Sequence, residues 1–194
     1  MKASFPLPLL ALAFVFLSCM SQKDYVAEYD FSYTGNFKRY KTFNFVGNPI
    51  SSDSVLFYQT IENTITNRLG SQGFRKDEDK PDILINYAIF NQGVKYRGYD
   101  QPNFDYWLER RTENMDMEIL DQAEARERDE TYNNVRFLEN DGMLVVYVID
   151  NKRGNTIWQG YVPAAFDFLS PEIYTDLTRA TYRVMDQFRV LTRR

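Results

Sequence analysis

The sequence predicts an α+β domain, a two-layer sandwich in which two amphipathic helices pack on one face of a roughly five-stranded, largely antiparallel sheet. Three observations predict it. Apolar residues recur every three or four positions from Phe57 to Leu69 and from Ile173 to Leu191, each run lying between helix start and stop signals. Two apolar runs within residues 142–162 flank Asp150-Asn-Lys-Arg-Gly154, the pattern of an antiparallel hairpin. The other strand-length runs precede or directly follow the first helix, which places them in the same sheet.

Taken in order, Tyr25 to Phe31 alternates enough for a strand, and Thr34-Gly35-Asn36 turns the chain. Tyr40 to Val46 alternates aromatic with polar residues, a half-buried strand that Gly47-Asn48-Pro49 stops. Ser52, Asp53 or Ser54 can cap the next helix, which carries Phe57, Ile61, Ile65 and Leu69 on one face. Gly70 and Gly73 end it in a left-handed turn, and Phe74 packs back. Arg75 to Pro81 is a charged loop. Asp82 to Phe90 is a nearly continuous apolar run, the pattern of a central strand covered on at least part of both faces. In the hairpin, Asp150 accepts hydrogen bonds from the turn amides and Gly154 supplies a positive φ. Ser170-Pro171 open the last helix, whose face is Ile173, Leu177, Ala180, Val184, Phe188 and Leu191. Arg189, Arg193 and Arg194 suit its negative end.

Ahead of these elements lies a different kind of segment. Lys2 precedes thirteen uncharged residues, Phe5 to Leu17, and Ser18-Cys19 follow. As a helix the run reaches about 20 Å, short of the roughly 30 Å hydrocarbon core, and Pro6 and Pro8 weaken it further. A basic start, a short apolar centre and a small residue before the cut describe a secretory signal. The cysteine directly after Ser18 makes the segment resemble a bacterial lipoprotein signal, with Phe16 standing where leucine is usual. The expected layout is a cleaved signal at 1–18 and a lipidated Cys19 with a polar tether to residue 24. A single domain then covers 25–194, with an aromatic and acidic insert at 92–141. The expected location is the envelope of a Gram-negative bacterium, on the outer membrane, held there by the lipid.

Composition excludes several kinds of chemistry. The chain has no histidine and one cysteine, which removes Ser-His-Asp and Cys-His catalysis, histidine-ligated zinc and any disulfide framework. The net charge is −4, and nine acids against four arginines between Glu109 and Glu130 account for it. No basic stripe faces a phosphate backbone, so nucleic acid is not an expected partner. No phosphate loop, dinucleotide fingerprint or nucleophile elbow occurs, and Asp150 to Gly154 lacks calcium-loop spacing. No enzyme activity and no cofactor are expected beyond the covalent lipid on Cys19.

Certain motifs resemble the domain of unknown function 4136 family, a group of bacterial envelope lipoproteins. They are Tyr29-Asp30, Phe37-Lys-Arg-Tyr40-Lys-Thr-Phe43, Gly73-Phe74 and Pro81-Asp82-Ile-Leu-Ile-Asn-Tyr87. Gly142-Met-Leu-Val-Val-Tyr-Val-Ile-Asp150, Gly154 and Ile157-Trp158-Gln-Gly160 complete the set. The likeness covers 25–91 and 142–190 and is absent from 92–141. It implies an envelope lipoprotein and carries no catalytic residue to any position.

The insert holds the candidate ligand residues Tyr96, Tyr99, Phe104, Tyr106 and Trp107, interspersed with Asp100 and Asp105. Rings beside carboxylates grip sugars; rings also cover a sheet face or edge, and both readings stand. Leu108, Met115 and Ile119 fit one stripe of a surface helix, whereas Met115 to Ile119 also alternates like a strand. Glu113 and Asp116 are a nominal carboxylate pair within a run of charges, which is ordinarily a solvated face. The expected function is a membrane-anchored, non-enzymatic binding or scaffolding module with an envelope protein as partner. The alternative is a carbohydrate-binding or weakly carbohydrate-active surface lipoprotein working through the 92–141 insert.

Overall fold

The computed structural model describes residues 24–47, 55–99, 101–110 and 135–192. The leader with Cys19, the caps Ser52 to Ser54, Asp100, the acidic stretch from Arg111 with Glu113 and Asp116, and Arg193-Arg194 lie outside them. The elements are β1 (Glu28–Phe31), β2 (Thr42–Phe45), α1 (Val55–Ser71), β3 (Arg75–Lys76), β4 (Ile83–Phe90) and β5 (Val94–Tyr99). They continue with α2 (Phe104–Arg110), β6 (Val135–Asn140), β7 (Met143–Asp150), β8 (Asn155–Pro163) and α3 (Ile173–Met185).

Six strands form one sheet in the order β1-β8-β7-β4-β2-β3. The β1/β8, β8/β7 and β7/β4 pairs are antiparallel, while β2 runs parallel to both β4 and β3. A parallel neighbour requires a crossover, and α1 between β2 and β4 supplies it. The α+β class holds, with more strands than the five expected and a third helix. The two-residue β3 is too short to leave a periodic signal. The predicted hairpin is β7–β8, with Arg153 N donating to Asp150 Oδ1 at 2.9 Å. Gly73 and Gly154 have the predicted positive φ, 93° and 68°.

One sheet face packs on α1 and α3. Ile61, Ile65 and Leu69 of α1, and Leu177, Ala180 and Val184 of α3, are buried there against Ile83, Ile85, Val146, Val148 and Trp158. The expected stripe on the last helix overshoots. The helix stops at Met185, so Phe188 reaches the core from the following turn, packed 5.2 Å from Trp158, and Leu191 is 72% exposed.

The other sheet face carries the larger correction. The insert is not an appendage to a two-layer domain; it adds a partial third layer. The β4/β7 ladder ends at Phe90↔Met143, and after a short break the same two chain segments pair again as β5/β6, from Val94↔Asn140 to Tyr99↔Val135. That ribbon folds back over the sheet, and Met143, Val145 and Tyr161 are buried with Val94 and Tyr96 packed against them. A Cβ at Gly142 would stand 2.8 Å from Ala164 O, so the bend needs a residue without a side chain.

Candidate functional site

The five candidate rings do not share a surface. The chain leaves the ribbon at Tyr99, rounds the exposed edge of β1 and enters α2 on the helix-bearing side. Phe104 and Trp107 are therefore buried in the main core. Their neighbours are Phe31, at 5.0 and 4.9 Å respectively, and Phe37, at 5.1 and 5.9 Å. Tyr96 lies on the opposite sheet face with its ring 4.3 Å from Tyr161. Tyr99 is half-buried with Arg97 over its ring at 5.3 Å, and Tyr106, 56% exposed, presents its ring to solvent. The spacing of these residues straddles a strand and a helix, so their rings part to different sides.

Where the chain rounds β1 it builds a polar nest that sequence reading did not single out. Asp30 is buried, and its carboxylate accepts from Tyr99 N at 3.0 Å, Gln159 Nε2 at 3.1 Å and Tyr96 Oη at 3.5 Å. Burial, and then the neighbouring Asp30 charge, push the Tyr96 phenol far above its ordinary range, so it stays protonated and serves as a donor. Next to it Gln101 closes the edge of β1: Phe31 N donates to Gln101 Oε1 and Gln101 Nε2 donates to Phe31 O, both at 2.7 Å. One side-chain amide thus replaces a missing strand neighbour. A cleft of about 270 Å³ opens here, lined by Asp30, Ser32, Tyr99, Gln101 and Gln159 among others. Asp30 belongs to the motif Tyr29-Asp30 and Gln159 to Ile157-Trp158-Gln-Gly160, whereas nothing in the sequence marks Gln101.

The other motif carboxylates are fasteners. Asp82 Oδ2 accepts from Lys41 N at 2.7 Å and Thr42 N at 3.0 Å, while its own N–H donates to Thr42 Oγ1 at 2.9 Å, which ties β4 to β2. Tyr40 Oη donates to Asp150 Oδ2 at 2.7 Å, pinning the segment before β2 to the hairpin turn. Burial raises the Tyr40 phenol, helped by the Asp150 hydrogen bond, to about 12. Burial alone would raise Asp150, but hydrogen bonds from Tyr40 and the turn amides outweigh it and hold the carboxyl below its usual range. Tyr87 Oη donates to Glu62 Oε1 at 2.9 Å and so joins β4 to α1.

Two clefts lie on the helix side. One, about 680 Å³, has Phe37, Leu108 and Val190 among its apolar lining residues and Lys38, Lys41 and Arg189 among its cations. Arg189 is paired there with Asp105 at 2.7 Å. The other, about 660 Å³, lies along α3 between Asp24, Tyr25, Arg179, Tyr182 and Arg183. Asp24 is bonded to Arg183 at 2.9 Å, so the chain enters the domain against the flank of α3. Among the described residues no three metal-binding side chains gather, and no helix is long and apolar enough to cross a membrane.

A mostly antiparallel six-stranded sheet with helices on one face and a β-ribbon on the other defines a mixed α+β protein. Its motifs serve mainly to fasten that frame. The chain belongs to the family described as domain of unknown function (DUF4136), whose model matches residues 27–188. Among solved structures it is similar to a DUF4136 family protein from Bacteroides thetaiotaomicron. Identity is 12% over 88% of this chain and 99% of that one, with a TM-score of 0.50, a likeness of fold alone. A PDZ domain protein from Parabacteroides distasonis matches with 18% identity and a TM-score of 0.48. The match covers 96% of this chain but spans only 41% of that protein. The PelC dodecamer from Paraburkholderia phytofirmans matches with 9% identity over 88% of this chain and all of that one, at a TM-score of 0.43. No curated protein matches.

Proposed function

We propose that this chain is a lipoprotein of the Gram-negative envelope, held on the outer membrane by a diacylglycerol thioether on Cys19, and that its domain is a non-enzymatic binding or scaffolding module. The observation that carries the non-enzymatic reading is the employment of three acids of the family motifs. Asp30 and Asp150, and half-buried Asp82, each accept hydrogen bonds that close an edge, a turn or a strand pair. A carboxylate that holds the frame in this way is not poised to exchange a proton with a substrate. The anchor rests on the leader pattern ending at Ser18-Cys19. Stable attachment needs more than one acyl chain, which a diacylglycerol supplies. The glycan reading loses support, because two of its five rings are inside the core.

Growth with an alkyne fatty acid followed by in-gel detection tests the anchor. Label is expected on the native protein and absent from Cys19→Ser, which should accumulate as precursor or leave the membrane fraction. Label persisting on Cys19→Ser overturns the assignment. Cross-linking in intact cells tests the binding module, for which a reproducible envelope-protein adduct is expected. A blank profile at native abundance counts against it.

A further inference from the structure

The point at which the chain joins the domain says which face looks at the membrane. On the reading that Cys19 carries the lipid, five residue steps separate it from Asp24, a reach of at most about 17 Å. Asp24 is tied to Arg183 of α3, and Tyr25 stacks on Phe166 at 6.1 Å in the loop before α3. The tether therefore holds the chain's entry point beside α3 close to the lipid surface.

That flank has the chemistry of an interface. Leu169 is 95% exposed and Val26 is 70% exposed, while Tyr182 is 46% exposed on α3. Arg179 and Arg183 stand beside Tyr182 around the cleft into which the chain enters. Behind the loop, Phe168 and Tyr174 both pack on Phe57, at 5.1 and 5.4 Å, so the apolar protrusion has a rigid base. Leucine favours the acyl boundary, tyrosine the headgroup level, and arginine the lipid phosphates. The face across the molecule, the outer side of the β5/β6 ribbon, instead exposes Lys95, Arg97 and Glu139. We infer that the domain docks on the bilayer through Val26, Leu169, Tyr182 and Arg179, leaving the ribbon turned away from the membrane and open to a partner. The inference rests on the anchored reading and adds an orientation to it.

The test uses the full lipidated protein in vesicles of phosphatidylethanolamine and phosphatidylglycerol, doped with a phospholipid bearing a diazirine near its acyl carbonyl. Mass spectrometry then maps the photo-adducts. Adducts on residues 166–183 are expected to exceed those on β5 and β6 about threefold or more, and Leu169→Asp should reduce them by a similar factor while the protein still floats with the vesicles. Lipidated, floating protein whose adducts stop at residues 19–24, or fall equally on both faces, overturns the docking alone. Protein without lipid on Cys19 that fails to float overturns the anchor and the docking with it.

Discussion

Asp150 shows how a single residue of this chain joins sequence, fold and pH response. Its position before a turn predicted that it would accept amide hydrogen bonds, and Arg153 N supplies one; its partner Tyr40 lies 110 residues away and left no such sign. Its folded pKa is depressed, so its contribution is present above the ordinary value of 3.8 and is lost as pH falls through the folded value. Asp150→Asn is expected to lower stability at neutral pH by about 2 kcal/mol, with the variant and native denaturation curves converging in acid. Tyr40 has the opposite sign. Its raised pKa means that its contribution is intact below 10 and is lost as pH rises from 10 through about 12, and Tyr40→Phe should blunt that alkaline loss in pH-jump unfolding. Gln101 makes two backbone bonds at the β1 edge. Gln101→Ala should therefore cost about 1–3 kcal/mol in urea titration and speed amide exchange at Phe31.

Elements are legible where a local pattern marks them. The α1 face is legible because half-burial imposes a repeat, whereas β4 and the β7–β8 hairpin are legible as strand-length apolar runs beside turn signals. The end of α3 is not, since Phe188 and Leu191 continue the apolar spacing past the point where the backbone turns away; Asp186 already follows the last helical residue. Tyr96, Phe104 and Trp107 of the insert pack, one of the two readings the sequence leaves open, but on two sides of the sheet. Rings near one another in sequence part in space because β5 and α2 lie on opposite sides of the sheet. The consequence is testable with a neighbouring pair. Trp107→Ala should destabilise the fold by about 3–5 kcal/mol, whereas Tyr106→Ala, removing an exposed ring, should stay within about 0.5 kcal/mol in thermal or urea unfolding.

For the whole molecule, the insert is part of the frame. Deleting residues 92–141 removes Phe104 and Trp107 from the main core and uncovers Met143, Val145 and Tyr161 on the other sheet face. Such a deletion is expected to abolish cooperative thermal unfolding rather than leave a folded domain without its binding arm, a result that circular dichroism would register. The sequence by itself determined the α+β class, the two helical stripes, the hairpin with its turn chemistry and the exclusion of histidine and disulfide chemistry, because each follows from local pattern or composition. Only the tertiary structure decided the strand order, the parallel placement of β2 beside β4, the ribbon that covers the second face, and the pairing of Asp30 with Tyr99, Tyr96 and Gln159. Those depend on contacts between residues roughly 40 to 130 positions apart, and a side chain's neighbours at such separations are fixed by how the layers close rather than by any period in the chain.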